Sequence, residues 1–312
     1  MNSLFEPLVS IIINCHNGQE YLKEALDSVY TQTYKNWEII FWDNASTDNS
    51  KFISQSYDSK LKYFFSSNLL SLGRARNLAV KEATGKYITF LDTDDYYLPN
   101  KLADQVHLME SSGKILSYSG LLLIDTNGKY IGRINPRYKS GDNFRNLLRR
   151  YEINMPAVML QSDVLRKHHL KFDVSLKFAP DYHLFMHIAA LYPIDVIKDQ
   201  LLCYRRHENS LSKKSLNLVE NEQKYVLDSL KYTYSKLYEK YRPDFNHAYK
   251  KLCIARAKLL IAQNEFSKAR RQLLKGFFSD KRCIALFFLL CLPEKLFTYI
   301  VKCFRLNIPI SL

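Results

Sequence analysis

An α/β fold, with a mostly parallel sheet flanked by helices and a helical appendage after it, is predicted by three features of this 312-residue chain. Short β-branched runs alternate with amphipathic stretches over residues 8–110, three acids stand where one of those runs ends, and from about Leu216 the apolar spacing becomes purely helical. Strands and helices alternating at these intervals imply parallel strands joined by right-handed crossovers.

Leu8 to Asn14 (LVSIIIN) is the continuous β-branched run of a strand buried on both faces. Gly18 and Gln19 mark a turn, and Leu22, Ala25, Leu26 and Val29 then carry the spacing of a helix, Tyr21 to Tyr30, laid on a sheet. Trp37 to Trp42 is a second strand. It stops at Asp43, and the Ser46 and Thr47 that follow are suited to cap the next helix. Leu61 to Phe65 gives a third strand, Gly73 to Glu82 a helix, and Lys86 to Leu91 a fourth strand. A helix at Lys101 to Glu110 starts behind Pro99 and Asn100. Strands are expected at Ile115 to Ser119, Leu121 to Ile124 and Tyr130 to Ile134, the last two joined by the turn Asp125 to Gly128. Val158 to Leu160 reads as one more strand with a short helix from Ser162. Asp181 to Leu191 reads as a helix, Ile194 to Ile197 as a short strand, and Leu201 to Arg206 as an extended segment.

Beyond Ser210 the pattern is helical, with a hairpin expected around Asn264, so the chain divides into residues 1–210 and 211–312. The second part holds 20 Lys and Arg against 8 Asp and Glu, and therefore +12 of the net charge of +14. Cys283 to Leu292 is apolar but too short to cross roughly 30 Å of hydrocarbon. Phe297, Tyr299, Ile300, Val301 and Phe304 extend its face beside Lys302 and Arg305, the composition of a helix lying in a membrane surface. A C-terminal helix docked on protein is the competing reading. The six cysteines show neither paired nor metal-ligand spacing and read as reduced thiols, and the N-terminus lacks the basic region of an export signal. A cytoplasmic protein, peripheral on the inner face of the membrane, is the expectation.

The acids Asp92, Asp94 and Asp95 carry the chemical signal. Like charges this close repel, so such a cluster usually holds a cation. Ligands of open α/β sheets bind beyond the carboxyl ends of strands, where these acids stand. One or two carboxylates suffice for Mg2+ or Mn2+ when phosphates and water complete the shell. A solvated acidic turn, with Asp92 capping the next helix, is the competing reading.

Four stretches, in this order and spacing, resemble the family 2 glycosyltransferases of the GT-A fold: PLVSIIINCHNGQEYLKEALDSVYTQTYKNWEIIFWDNASTDNS, GRARNLAVKEATGKYITFLDTDD, APDYHLFMHIA and YRRHENSLS. The resemblance spans about residues 7–210. It implies that Asn14 and the loop after it border the nucleotide base, with His16 where the family has a stacking Tyr. Asp43 and Asn44 stand at the base-reading acidic pair, the second acid being replaced by an amide that both donates and accepts. Arg74 and Arg76 stand where a basic residue meets the donor, as a guanidinium fork suits a diphosphate; solvated helix-start residues are the alternative. Asp92 and Asp94 match the DxD motif, Asp92 toward the ribose and Asp94 on a Mn2+ or Mg2+ ion, with Asp95 as an auxiliary ligand.

The resemblance further implies Asp181 as general base, taking the acceptor's proton on the face opposite the leaving group. Pro180 replaces the family's usual Glu; a plain N-cap Asp is the bland reading of Asp181. His207 matches a late His that approaches the metal or diphosphate, with Arg205 assisting on the donor, and a surface-loop His is its alternative. His168, His169, His183 and His187 are read as structural.

The function implied is inverting transfer from a nucleotide-diphosphate sugar, a UDP-sugar, to a hydroxyl of a surface-glycan or lipid-linked acceptor. A nucleotidyltransferase is disfavoured because Gly18 is the only glycine before residue 70, leaving no glycine-rich phosphate loop. The charge raises a nucleic-acid-binding protein as a rival, but no such module is present and no nucleic-acid partner is expected. An inactive transferase-like scaffold is opposed by the intact Asp92, Asp94 and Asp181.

Overall fold

The structure, a computed structural model, describes residues 6–207, 218–274 and 281–293. Two compact units are present, Met1–Leu147 with Tyr151–Ser210, and Leu148–Arg150 with Leu211–Leu312. The boundary expected near Ser210 lies outside the described residues.

The first unit runs β1 (Val9–Cys15), α1 (Gln19–Tyr30), β2 (Trp37–Asn44), α2 (Ser50–Gln55), β3 (Leu61–Ser66), α3 (Leu72–Glu82), β4 (Tyr87–Phe90), β5 (Tyr96–Tyr97), α4 (Lys101–Ser112), β6 (Leu116–Ile124) and β7 (Tyr130–Ile134). After α5 (Phe144–Arg149) come β8 (Val158–Gln161), α6 (Ser162–Lys167), α7 (Pro180–Leu191) and β9 (Asp195–Arg205). One nine-stranded sheet results, in the order β3-β2-β1-β4-β8-β6-β9-β5, with β7 paired to β6. The first four strands are parallel, as their intervals implied. β8 then enters antiparallel between β4 and β6, which is where the βα alternation is lost.

β1 and β2 are buried along almost their whole length because helices cover both faces of this part of the sheet. Val9, Ile11 and Ile13 join Leu22, Ala25, Leu26 and Val29 of α1, with Phe41 and Met109, in one apolar core. Each such side chain contributes roughly 1.5–3 kcal/mol when fully buried.

Three expectations need correction. The two strands read at residues 115–124 are one, because Gly120 does not break it: a Cβ there would stand 3.0 Å from the carbonyls of Asp199 and Ile134, so glycine admits a close passage. The pieces read at residues 194–206 are likewise one strand, β9, whose register against β6 shifts at Ser119 and Gly120. Ser46 and Thr47 do not cap α2, which starts only at Ser50; they bind Asn17 of the neighbouring loop instead. β5 was not legible because two residues carry no period; it exists through antiparallel pairing of Tyr96 with Cys203 and Tyr97 with Leu202.

In the second unit α8 (Val219–Thr233), α9 (Ser235–Lys240), α10 (Arg242–Ala262), α11 (Phe266–Leu274) and α12 (Lys281–Leu289) follow one another. The turn between α10 and α11 places Asn264 at φ 60°, a left-handed conformation that Asn tolerates. Ala257, Leu260, Ile261, Ala269, Leu273, Cys283, Leu286 and Leu290 form their shared core. No described helix is long and apolar enough to cross a membrane. The apolar face expected from Phe297 to Arg305 lies outside the described residues. Cys15, Cys203, Cys253, Cys283 and Cys291 are all free thiols.

Candidate active site

Because β1, β2 and β4 are parallel, the loops that follow them open on one edge of the sheet. The first two loops are laced together. Asn17 donates its N–H to Ser46 Oγ at 3.0 Å, Gly18 to Ser50 Oγ at 3.1 Å and Gln19 to Asp48 Oδ2 at 3.0 Å. A Cβ on Gly18 would stand 2.8 Å from Thr93 Oγ1, so the absence of a side chain lets this loop lie against the acidic one.

Asp43 is buried at the end of β2, its Oδ1 accepting from Ser46 N–H at 2.8 Å and its Oδ2 from the Tyr63 hydroxyl at 2.8 Å. Asn44 donates through Nδ2 to the Leu70 carbonyl and accepts through Oδ1 from the Leu70 N–H, both at 3.0 Å. Both polar ends of that amide are thus committed to the backbone before α3, and Asn44 shapes the loop rather than offering its side chain outward. His16 is exposed and its Nδ1 stands 3.0 Å from the Asn44 carbonyl; since a carbonyl only accepts, that nitrogen carries the proton. Asn14 Nδ2 is buried with no hydrogen-bond partner. A sealed, unpaired donor is costly and is often found where a ligand belongs.

The acidic loop follows β4 and brings distant residues together. His207 Nε2 lies 2.7 Å from Asp94 Oδ2, across 113 positions of sequence. Arg76 Nη2 lies 3.5 Å from Asp92 Oδ1, and the guanidinium carbon stands 5.6 Å from the centroid of the Phe172 ring. α3 is held to that segment by Asn77, which donates to the Phe172 carbonyl at 2.8 Å and accepts from its N–H at 2.9 Å. Arg74, by contrast, is exposed.

Electrostatics place Asp181 in the same group. Desolvation raises the Asp92 carboxyl to about 6; the Arg76 charge opposes the shift, and Asp94 and Asp181 add to it. Asp181 sits in the first turn of α7 and is also raised, chiefly by burial, against the pull of Arg76 and of the N–H groups of Tyr182 and its own residue. The Arg76 charge therefore acts on both carboxylates, and its guanidinium meets that of Asp92. Relative to its ordinary value of 3.8, Asp92 binds more protons folded than unfolded up to about pH 6, so its contribution to stability falls as pH rises through that window. The ligand-free protein is expected to lose melting temperature from pH 4 to pH 6 through this residue, and Asp92→Asn to remove that part of the slope. Identical profiles in both proteins would contradict the crowding of Asp92.

Two expected site residues are largely enclosed and bound to other parts of the chain. Arg205 is 3% exposed, and Nε, Nη1 and Nη2 all donate to protein acceptors, which leaves its fork unsuited to a diphosphate. Asp95 is 2% exposed and its Oδ1 accepts the Arg205 N–H at 2.9 Å, which ties β9 to the loop, while its Oδ2 is buried with no hydrogen-bond partner. Burial, with Asp94 and Asp92 beside it, drives its carboxyl well above the usual range. Glu24 and Tyr21, which hold Arg205 from α1, had no signal in the sequence beyond lying on the polar side of a helix.

Among the described residues no group of three or more His, Cys, Asp and Glu side chains forms a metal cage. The arrangement does fit an ion held by few protein ligands. Asp94 keeps 32% of its side chain accessible with an imidazole at its tip, and the desolvation and neighbouring acids that raise Asp92 are what a cation would offset.

The sequence matches Glycosyl transferase family 2 over residues 10–167. An uncharacterized glycosyltransferase of Methanocaldococcus jannaschii is 36% identical over 218 residues, 67% of this chain and 74% of that protein. The Escherichia coli UDP-Glc:alpha-D-GlcNAc-diphosphoundecaprenol beta-1,3-glucosyltransferase WfgD is 28% identical over 237 residues, 74% of this chain and 90% of that one. Among solved structures, S. aureus TarS 1-349 in complex with UDP-GlcNAc superposes with a TM-score of 0.57 at 18% identity, covering 85% of this chain and 87% of the other. The mannosyltransferase PcManGT from Pyrobaculum calidifontis, in complex with GDP-Man and Mn2+, gives 0.61 at 16% identity, covering 95% and 84%. At these identities the structural likeness concerns the fold, which is the GT-A type expected.

Proposed function

The chain belongs to Glycosyl transferase family 2, and from that premise we propose that it is an inverting, metal-dependent transferase moving a hexose from a UDP-sugar to a hydroxyl of a lipid-linked or surface-glycan acceptor. The observation that carries the reading is the meeting of Asp92, Asp94, His207, Arg76 and Asp181 at one end of the sheet. Two Escherichia coli relatives whose names specify UDP-Glc and a GlcNAc-diphosphoundecaprenol acceptor support the choice of donor and acceptor class.

Asn14, with its unsatisfied amide, and Asp43, at the end of β2, border the nucleoside, while Asp92 faces the ribose. Asp94, with His207 beside it, would hold Mn2+ or Mg2+, which supplies Lewis-acid stabilisation of charge on the departing diphosphate. Arg76, beside Asp92, supplies a fixed positive charge that is felt by both Asp92 and Asp181. In the transfer step the acceptor oxygen forms a bond to the anomeric carbon, the bond to the UDP oxygen breaks, and the acceptor's proton passes to Asp181. A carboxylate whose pKa desolvation raises is the stronger base for that proton.

The basic C-terminal region would hold the enzyme at the anionic cytoplasmic face of a membrane, near such an acceptor. The test is incubation with a panel of nucleotide sugars, Mn2+ and a GlcNAc-diphosphate-lipid acceptor, with product anomer and released nucleotide identified. A β-linked product from an α-linked UDP-hexose is expected; a product of retained configuration, or turnover equal with and without divalent ions, would contradict the proposal.

A further inference from the structure

Arg205 joins four parts of the first unit. Its backbone N–H goes to Asp95 Oδ1 at 2.9 Å and its Nε to the Asp94 carbonyl at 3.0 Å. Nη1 reaches the carbonyls of Asp125 and Thr126 in the β6–β7 turn at 3.2 and 3.3 Å, and Nη2 pairs with Glu24 of α1. The guanidinium carbon lies 4.3 Å from the centroid of the Tyr21 ring. Two residues further along the chain, His207 meets Asp94.

These bonds reach both partners of the Asp94–His207 pair from one side chain. Asp94 is fixed through its own carbonyl, and His207 through the anchored end of β9 from which it extends. A guanidinium is suited to this because its planar fork points donors in several directions at once, where an ammonium gives a single charged tip. The clamp also has a cost that a purely structural contact would avoid. A buried cation needs its charge met, and among the described residues Glu24, still 49% exposed, is the carboxylate side chain that the guanidinium itself reaches.

We propose that Arg205, backed by Glu24, is a positioning residue that sets the spacing of Asp94 and His207 and so the affinity of the site for a divalent ion with UDP. The inference rests on the metal reading given under Proposed function. It assigns Arg205 no contact with the donor and has Glu24 act on the site through Arg205.

The test is calorimetric titration of UDP into the full-length protein, in Mn2+ and in EDTA, for the wild type, Arg205→Lys and Glu24→Gln, with melting temperatures alongside. Arg205→Lys is expected to weaken UDP binding in Mn2+ by about 10–100-fold, the usual effect of losing a group that orients a metal ligand. Binding in EDTA should stay unchanged. Glu24→Gln, at a half-exposed position, should give a smaller loss of the same kind with little change in melting temperature. Equal losses with and without Mn2+, or a fall in melting temperature with metal-dependent binding intact, would overturn the inference and leave Arg205 a general stabiliser. If Arg205→Lys does not fold, Glu24→Gln decides by the same criteria. A wild type whose UDP affinity ignores Mn2+ would instead refute the metal reading, and this inference with it.

Discussion

Asp181→Asn is expected to lower the rate of transfer by about 100- to 10,000-fold, the usual effect of losing a positioned general base, while the dissociation constant for the UDP-sugar stays within twofold or so of the wild type. The exchange keeps the shape of the side chain, and in the first turn of α7 it removes only a favourable interaction with the helix dipole of about 0.3–1 kcal/mol, so α7 should survive. What disappears is the capacity to take a proton. Asp181 is suited to that task because burial raises its carboxyl while Arg76 keeps it from rising further. Single-turnover kinetics with saturating donor separate the two effects. Normal turnover in this variant would remove Asp181 from the reaction, and a matching loss of donor affinity would make it a binding residue.

Asp94→Asn is expected to abolish the part of UDP affinity that depends on Mn2+, a loss larger than the roughly 10–100-fold attached to an outer-shell partner. Its melting temperature without ligand should change little. The side chain is 32% accessible, and a partly exposed polar contact such as the one with His207 contributes about 1 kcal/mol or less. Titration of UDP in Mn2+ and in EDTA reads the effect directly. Unchanged Mn2+-dependent binding would show that the ion, if bound, is held elsewhere.

The half of the fold that was legible in the sequence is the half with a strong period. β1 and β2 are largely apolar runs, with Ser10 and Glu38 as polar residues inside them, and α1 carries four apolar positions at helical spacing, so each could be placed to within about two residues. β5, β6 and β9 resisted because their structure lies in pairing across long sequence distances, and Gly120 looked like a break where it serves as a close passage. At the site, the acids and His207 were visible as residue types at telling positions. Which of them face a ligand was not. Asp95 and Asp94 are adjacent and chemically identical, yet one is sealed beneath the loop by the Arg205 N–H and the other keeps its carboxyl accessible. Arg74 and Arg76 differ in the same way, since two positions along a helix turn a side chain from solvent to core. Glu24 shows the converse case, a helix-surface acid whose importance comes only from Arg205 arriving 181 positions later.

The central claim is that the carboxylate end of β4 holds a divalent ion that in turn holds the diphosphate of the donor. Diffraction at the manganese absorption edge from crystals grown with UDP and Mn2+ tests it most directly. One anomalous peak is expected within coordinating distance of the Asp94 carboxylate and of diphosphate oxygens, with the uracil beside Asn14 and Asp43. A nucleotide bound without manganese at Asp94, or manganese at a site remote from the acidic loop, would contradict it.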